Sequence, residues 1–528
     1  MTQFEKSVLL IIGISIGLGT PPQTYAIHAT TRQHIHPVLI RRDYNALLQV
    51  HVEAEQSNVF LTSIHFLLEG TDDLTDLESL QVFMTGDQDA FSTTVEFGDR
   101  NVTSKKITFQ GNARLQKGLN IFWLSCRLRA SANLDHKVDA RCTAIKTSAG
   151  MVTPEDGTPG RRKRIGFALR KHFDDGIHTY RIPALATTPS GTLLCVYDMR
   201  RRAGRDLQED IDIGLLRSTD GGQSWESQRV IMDMHQYGGL PQEQNGCSDP
   251  GILVDSQTGE VFVAAVWTWG RPGTHQWSEG GSEPGFEIGK TSQFLMVRSQ
   301  DDGHTWTQPE NLTRQLKKED WILFAPSPQQ GITLPDGTLI MPSQGRDEQN
   351  RHFSNLMISR DHGKTWTLSN PTSYGNTENQ AVLLNDGSIM LNCRSEPPIK
   401  FRTVVVTRDL GKTWRPHETN RKGIIEPNCN GSTYRFDFQQ GDQKKHILLF
   451  ANPHSQTGRD HHTVQISYDD GMSWPQNHHL LLDEGRGAGY PSLSRAGPSH
   501  VGIVYEGSQA HLVFERIRLT ELLDPRTR

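Results

Sequence analysis

STDGGQSW, residues 218–225, is the stretch that decides the fold, because four close copies of it follow along the chain. The copies are SQDDGHTW (299–306), SRDHGKTW (359–366), TRDLGKTW (407–414) and SYDDGMSW (467–474). Five matches to S/T-x-D-x-G-x-S/T-W cannot arise by chance. Their spacing is that of a repeat architecture in which each repeat is one small β-sheet.

The repeat motif has a local physical logic. Its glycine permits a left-handed turn, its aspartate hydrogen-bonds nearby backbone, and its tryptophan packs between neighbouring sheets. The region from 165 to 528 holds about six units of roughly 60 residues, which is within the usual size of a propeller. The sequence therefore predicts an all-β protein with a six-bladed β-propeller over residues 165–528.

The residues ahead of the repeats predict a separate β-sandwich over 27–158. Leu48, Val50 and Val52 alternate with polar residues, and 107–109 and 121–128 also have strand character. Cys126 and Cys142 lie on alternating segments that place both side chains inward. A disulfide between them and two buried free thiols are both consistent with that pattern.

Two flanking segments complete the predicted organisation. Residues 1–26 have the features of a signal peptide: a basic Lys6, an apolar stretch over 8–18, and Ala26 at a small-residue cleavage point. We therefore expect a secreted or periplasmic protein. The stretch 154–164 is rich in Gly, Pro and charge and ends in the basic run 161–164, which we interpret as a solvated linker.

Composition excludes several classes of function. The formal net charge is −5, whereas a nucleic-acid-binding protein would carry a basic face. No segment after the first 26 residues is apolar for long enough to anchor the chain in a membrane. No C-x-x-C pair, zinc motif or glycine-rich phosphate cradle occurs, so we expect no metal and no cofactor. We also expect a monomer.

The segment Tyr180-Arg181-Ile182-Pro183 makes the resemblance specific. Together with the five repeats, called Asp boxes, it resembles the bacterial exo-sialidase (neuraminidase) family, which carries an F/Y-R-I-P motif at the start of the propeller. The resemblance covers residues 165–528, and the first unit is similar to the accessory β-sandwich that precedes some members. It implies an exo-α-sialidase (EC 3.2.1.18) that acts on sialylated glycoproteins, gangliosides and oligosaccharides.

The resemblance assigns three arginines to the sialic acid carboxylate: Arg181, Arg394 and Arg459. A guanidinium group suits this task because its planar fork pairs with a carboxylate through two hydrogen bonds and stays charged. Glu506 matches the family residue that steadies the first arginine.

The resemblance also assigns Tyr490 as the nucleophile and Glu378 as its base, with retention of configuration. The anomeric carbon of sialic acid already bears a carboxylate, which would repel an attacking Asp or Glu. A neutral phenol avoids that repulsion, and sialidases are known exceptions to the two-carboxylate rule of glycosidases. Pro491 stands where many members have another residue, which makes the local loop differ in detail.

Asp206 matches the mobile-loop acid/base of the family, six residues after Arg200. Arg200 would contact the hydroxyl at carbon 4 of the sugar, and Asp249 would contact the same group or the amide. A turn aspartate is the alternative for Asp249. The rivals for the acid/base role are Glu209, Asp210 and Asp212.

Three tryptophans, Trp267, Trp269 and Trp277, lie where the family builds its N-acetyl pocket, and structural packing is an equal alternative for each. Transfer of sialic acid to another sugar, or an intramolecular transfer, would use the same residues. A sialic-acid-binding propeller without activity is the alternative from another class. For the sandwich, a glycan-binding module and a folding partner both remain open.

Overall fold

The computed structural model describes residues 26–207, 209–268 and 281–524, and its regular structure is nearly all β. The strands that precede residue 160 are β1 (Ile27–Arg32), β2 (Val38–Ile40), β3 (Asn45–Ala54), β4 (Phe60–Leu67), β5 (Leu77–Gly86), β6 (Glu96–Asn101), β7 (Lys106–Arg114), β8 (Gly118–Leu128), β9 (Lys137–Val138), β10 (Arg141–Thr147), β11 (Gly150–Val152) and β12 (Glu155–Asp156).

The strands that follow residue 160 are β13 (Lys163–Arg170), β14 (Thr179–Thr187), β15 (Leu193–Arg200), β16 (Ile211–Ser218), β17 (Arg229–Met232), β18 (Cys247–Val254), β19 (Val261–Trp267), β20 (Gln293–Ser299), β21 (Glu310–Asn311), β22 (Leu323–Pro326), β23 (Gln329–Gln330), β24 (Ile332–Thr333), β25 (Leu339–Arg346), β26 (His352–Ser359), β27 (Thr367–Leu368), β28 (Asn376–Leu383), β29 (Ile389–Ser395), β30 (Thr403–Thr407), β31 (Arg415–Pro416), β32 (Ser432–Gln440), β33 (Gln443–Pro453), β34 (His462–Ser467), β35 (Leu480–Asp483), β36 (Gly489–Arg495), β37 (His500–Glu506) and β38 (Leu512–Arg518).

Helices are few and short. The described residues contain the α-helices α1 (Thr313–Leu316) and α2 (Leu519–Leu523), and single 3-10 turns at Leu74–Asp76, Asp174–Gly176, Gln242–Gln244 and Gln476–His478. None of these helices has the length and apolar character that crossing a membrane requires.

The first part of the chain forms the predicted β-sandwich. One sheet has the strand order β12-β1-β3-β8-β5-β6 and the other the order β11-β10-β4-β7. Val50 and Leu124 of the first sheet share a buried core with Ile64 and Phe109 of the second. The predicted strands lie within β3, β7 and β8, so alternation of apolar residues located them correctly.

The two cysteines of the sandwich are buried free thiols. Cys126 on β8 and Cys142 on β10 belong to the same core. Burial raises the pKa of each thiol to about 12, so neither forms a reactive thiolate at neutral pH. The structure therefore agrees with the second of the two alternatives.

Six sheets form the predicted six-bladed β-propeller, and we number them as blades I to VI. Their strand orders are β14-β15-β16-β17 (I), β18-β19-β20-β21 (II), β22-β25-β26-β27 (III), β28-β29-β30-β31 (IV), β32-β33-β34-β35 (V) and β36-β37-β38-β13 (VI). The cores lie between adjacent blades: Leu194 and Ile213 of blade I, for example, share one core with Ile252 and Val263 of blade II. Each blade therefore needs its neighbour in order to bury its faces.

The number of Asp boxes follows from the way the ring closes. In blades I to V an Asp box connects the third strand to the fourth. In blade VI the third strand is β38 and the fourth is β13, which pairs with it in antiparallel register from the other end of the propeller sequence. These two strands share no connecting turn, so six blades carry five boxes.

The first Asp box shows the expected turn chemistry. The Asp220 carboxylate accepts hydrogen bonds from Ser224 N at 2.9 Å and from Ser224 Oγ at 2.5 Å. Gly222 has φ 88°, in the left-handed region. The Trp225 ring packs edge-on against Phe514 of blade VI, 5.1 Å away between centroids. The box therefore joins one blade to the preceding blade, as the sequence predicted.

Replacement of Gly363 by alanine is expected to lower the free energy of unfolding by roughly 2–4 kcal/mol. Gly363 has φ +79°, and a Cβ there would lie 2.4 Å from the Phe262 ring of blade II. Gly387→Ala is the matched control, since Gly387 has φ +81° with nothing within 4 Å of the added atom. Urea unfolding should show a clearly larger loss for Gly363→Ala, and equal losses would show that the contact between blades is unimportant.

The basic run at 161–164 was predicted to be part of a solvated linker, and its last two residues are instead part of a strand. Residues 155–162 are mostly exposed, as a solvated linker should be, but Lys163 and Arg164 begin β13. Lys163 is 4% exposed and its Nζ donates to the His34 carbonyl at 2.5 Å. Arg164 forms ion pairs with the buried Glu515 and Glu521. A charged residue can enter a core when it finds such partners, which the local sequence does not reveal.

The sandwich also contributes to blade VI. Strand β2 pairs in parallel with β13, and β9 pairs with the same strand in antiparallel register. The domain division between 158 and 165 stays a prediction. Strands β2 and β9, which precede residue 158, pair with β13 of blade VI.

Candidate functional site

One cavity gathers most of the candidate residues. It has a volume of about 260 Å³ and lies at the end of the propeller where the first strands of the blades begin and the second strands end. Its lining consists of Arg181, Ile182, Asp206, Asp249, Gln344, His352, Thr377, Glu378, Arg394, Glu396, Arg459 and Tyr490. Seven of the nine candidates are in this set, and Arg200 and Glu506 lie in contact with its members.

β-Bulges in four inner strands aim side chains into the cavity. The register shifts between Arg181 and Ala184, between Ser248 and Gly251, between Asn376 and Asn379, and between Gly489 and Ser492. An extra residue at such a point bends the strand and redirects the side chain beside it.

Three of these bulges share one backbone device, a residue with positive φ immediately before a proline. The φ values are 54° at Ile182, 59° at Asp249 and 32° at Tyr490. Non-glycine residues adopt this conformation at a cost of about 1–3 kcal/mol, and such strain is concentrated at functional sites. Pro491 therefore repeats the arrangement found after Ile182 and Asp249.

Arg181 is fixed by a buried carboxylate. Its Nε and Nη2 donate to the two oxygens of Glu506 at 3.0 and 3.1 Å, and the Ile182 N–H donates to the same group at 2.6 Å. The Glu506 side chain is 2% exposed and that of Arg181 is 17% exposed. This pairing raises the pKa of Arg181, so the guanidinium stays charged at the cavity wall.

Arg394, Glu378 and Tyr490 form one hydrogen-bonded group. The Tyr490 hydroxyl donates to Glu378 Oε1 at 2.5 Å, and Arg394 Nη1 donates to Glu378 Oε2 at 2.8 Å and to the Tyr490 oxygen at 3.1 Å. Burial, followed by the Glu378 charge, raises the pKa of Tyr490 well above its usual value. The phenol is therefore neutral at rest.

Arg459 also lies close to this tyrosine. Its guanidinium lies 5.5 Å from the centre of the Tyr490 ring, and that of Arg181 lies 5.2 Å from it. Arg459 donates to the carbonyls of Ala488 and Asn428, while the Asn428 side chain accepts from Arg394 Nε at 2.8 Å. Three guanidinium groups thus converge around one phenol.

Asp206 stands on the loop between β15 and β16, with its side chain 33% exposed. Its Oδ1 lies 2.6 Å from Arg200 Nη1 and 3.9 Å from Arg181 Nη1. Arg200 is fully buried and also donates to Asp198 from Nε and Nη2. The loop therefore places an accessible carboxyl group beside Arg181 and Arg200.

Asp249 is connected to Arg200 through Ser248 and Asp198. Ser248 Oγ is 3.0 Å from Asp249 Oδ1 and 2.7 Å from Asp198 Oδ2. Asp198 Oδ1 accepts from the Asp249 N–H at 3.0 Å. Burial, together with the charge of Asp198, raises the pKa of Asp249 well above its usual value.

The rivals of Asp206 lie outside this cavity lining. Asp212 is on β16, as the sequence indicated, and pairs with Arg201. Asp210 accepts a hydrogen bond from Gln242 Nε2 at 3.0 Å. Trp267 is fully buried in the core between blades I and II, which is the packing alternative. Trp269 and Trp277 lie outside the described residues.

Several residues of the site have no counterpart in the sequence analysis. Asp198 pairs with Arg200, and Asn428 connects Arg394 to Arg459. The wall formed by blades III and IV is lined by Gln344, His352, Thr377 and Glu396. A charged residue inside the apolar strand LLCVYDMR was a signal that could have identified Asp198. Within the described ranges, no cluster of His, Cys, Asp and Glu is arranged to hold a metal ion.

The arrangement can bind a planar anion and bring it against a nucleophile. The guanidinium groups close to the Tyr490 ring favour a carboxylate, and the Glu378 oxygen can take the phenol proton. Asp206 lines the same cavity with its side chain 33% exposed, so it can exchange a proton with such a ligand.

Family models and a known protein match this chain over most of its length. Residues 191–503 match the family model for a BNR repeat-like domain, and 26–100 and 90–150 match that for the N-terminal domain of BNR-repeat neuraminidase. A sialidase from Bacteroides fragilis is 35% identical over 98% of this chain and 100% of its own length.

Solved structures give the same result. Hadza microbial sialidase Hz136 superposes with a TM-score of 0.87 at 33% identity, over 93% of this chain and 99% of the other. The intramolecular trans-sialidase from Ruminococcus gnavus superposes with a TM-score of 0.53 at 19% identity, over 66% and 96%, which establishes a shared fold alone.

Proposed function

The chain belongs to the BNR-repeat neuraminidase family, and from that membership we propose that it is an exo-α-sialidase. Its substrates would be glycoproteins, glycolipids and oligosaccharides that end in α-linked sialic acid. The reaction would be hydrolysis with retention of configuration, through a covalent bond to Tyr490.

The observation that carries this proposal is the convergence of Arg181, Arg394 and Arg459 on Tyr490. These arginines come from three different blades, and no packing requirement brings three like charges together. A bound carboxylate explains the arrangement because it would pair with Arg459, which donates to backbone carbonyls and, among the described residues, forms no ion pair.

Glu378 would activate the phenol during the first step. As the Tyr490 oxygen bonds to the anomeric carbon, its proton moves along the 2.5 Å hydrogen bond to Glu378. Arg394 contacts both partners and stabilises the negative charge on whichever oxygen carries it. The glycosidic bond breaks on the opposite face of the sugar, and its oxygen takes a proton from Asp206.

The second step would reverse these transfers. Water attacks the anomeric carbon and gives its proton to Asp206, while the tyrosyl bond breaks and Glu378 returns its proton to the phenol. Two displacements at one carbon restore the original configuration. Proton NMR of the first product formed should therefore show the α-anomer of sialic acid, and initial release of the β-anomer would refute the tyrosine mechanism.

Asp206→Asn is expected to separate substrates by their leaving groups. With natural sialosides kcat should fall by roughly 10²- to 10⁴-fold, because a poor leaving group needs a general acid. With an aryl sialoside, whose leaving group needs no proton, kcat should fall far less. Asp210→Asn, outside the cavity lining, is the matched control and should leave both rates unchanged. An equal loss on both substrates would assign Asp206 another role.

The alternatives share every residue of the cavity. A transferase would deliver the sugar to a second saccharide, or to a hydroxyl of the same sugar, in place of water. NMR of the products in the presence of lactose distinguishes these cases. A binding protein without activity would bind a sialoside and release no product.

Export stays a prediction, since residues 1–25 lie outside the described residues. The monomeric state also stays a prediction. The role of the sandwich is also a proposal. We favour a folding partner over a glycan-binding module, because β2 and β9 pair directly with β13 of blade VI.

A further inference from the structure

A single hydroxyl, that of Ser248, faces two carboxyl groups at the edge of the cavity. Its oxygen is 2.7 Å from Asp198 Oδ2 and 3.0 Å from Asp249 Oδ1. A serine hydroxyl has one hydrogen to donate. If both carboxyls were ionised, one of these two short contacts would join oxygens with no hydrogen between them.

Asp198 is the carboxyl that carries the negative charge. It receives hydrogen bonds from Arg200 Nε and Nη2 and from the Asp249 N–H, at 2.9–3.2 Å. These donors all favour the ionised form. Asp249 has no such support: in the described part of the chain, no lysine or arginine forms an ion pair with it.

Charge balance around the cavity points the same way. Four arginines face five carboxyls other than Asp249; the arginines are Arg181, Arg200, Arg394 and Arg459, and the carboxyls are Asp198, Asp206, Glu378, Glu396 and Glu506. An ionised Asp249 would add an unmatched negative charge to a cavity that has to accept an anion. Burial and the charges of Asp198, Glu378 and Asp206 all raise the pKa of Asp249, and the charge of Arg200 opposes them.

We propose that Asp249 acts as a neutral carboxylic acid, held in that form by the chain Ser248–Asp198–Arg200. Its Oδ1–H donates to Ser248, whose own hydrogen goes to Asp198. Its Oδ2 is then an uncharged acceptor for a hydroxyl or amide N–H of the substrate. The proposal rests on the sialidase function and adds the protonation state of the Asp249 carboxyl in its site.

The proposal has a consequence for pH dependence. Below its pKa Asp249 is neutral, and KM is at its minimum with respect to this group. As the pH rises through that pKa, the carboxyl ionises, Ser248 can satisfy only one neighbour, and the new charge repels the substrate anion. KM should therefore rise at alkaline pH.

Asp249→Asn is the decisive variant. An asparagine amide reproduces the neutral acid, since its NH₂ can donate to Ser248 and its oxygen can accept from the sugar. We expect the alkaline rise of KM to disappear in this variant. Asp249→Ala should instead raise KM by roughly 10- to 100-fold at every pH, because buried polar partners are left unmatched.

Infrared spectroscopy at neutral pH tests the protonation state of Asp249 without any measurement of turnover. Burial also raises the pKa of Asp212 and of Glu515 to about 7, so the quantity to measure is the difference between the spectra of native protein and Asp249→Asn. That difference should contain the carbonyl stretch of one protonated carboxylic acid, whereas the difference between native protein and Asp210→Asn should lack it. Absence of the band from the first difference, or an Asn variant that raises KM as much as Ala, overturns the proposal. If native protein cleaves no sialoside, the exo-sialidase function fails, and the infrared result still decides the state of Asp249.

Discussion

Tyr490→Phe is expected to lower kcat by at least about three orders of magnitude, because it removes the atom that bonds to the sugar. The ring stays, so the contacts of Arg181 and Arg459 with its face are kept. Glu378 loses its donor, but Arg394 still pairs with its other oxygen. Steady-state kinetics with a fluorogenic sialoside measures the loss.

Binding provides the control for this variant. Calorimetry with an unsaturated sialic acid analogue should give a dissociation constant within about tenfold of the native value, since the carboxylate-binding arginines are unchanged. A kcat within tenfold of native would contradict the nucleophile assignment. Loss of analogue binding together with kcat would instead assign Tyr490 a structural role.

Arg181→Met is expected to affect both stability and substrate binding. It leaves the Glu506 carboxylate, 2% exposed, without its counter-charge. Breaking a buried ion pair in this way costs roughly 3–5 kcal/mol of unfolding free energy. KM should rise by roughly 30-fold or more, because one partner of a desolvated charge pair with the substrate is removed.

A double variant separates the two effects. In Arg181→Met combined with Glu506→Gln, no charge is left uncompensated, so urea unfolding should recover much of the lost stability. KM should stay high because the cation is still missing. Recovery of KM together with stability would show that Arg181 acts through the fold and not on the carboxylate.

The sequence contained enough information for the architecture. The Asp box specifies its own turn: glycine takes the positive φ, and the aspartate accepts from backbone and hydroxyl groups within four residues. Such local determinants can be read without knowledge of the rest of the fold. The same holds for alternation of apolar residues in β3 and β8.

What could not be predicted depends on contacts between distant segments. Lys163 and Arg164 have the composition of an exposed run, and their burial depends on His34, Glu515 and Glu521. Asn428 joins two arginines only because its loop is folded against blade V. Resemblance to a family identified the cavity residues in the sequence. The proton that we propose between Ser248 and Asp249 could be inferred only from the interatomic distances in the structure.

The closing of blade VI sets the order of assembly during synthesis. Arg164 and its partner Glu515 are 351 residues apart, so β13 must wait until nearly the whole chain has left the ribosome. Tyr490 and Glu506 belong to the same late segment, so the cavity is completed only after residue 506 has been synthesised. In the meantime β2 can cover one edge of β13, while the other edge stays open for pairing with another molecule until β38 arrives.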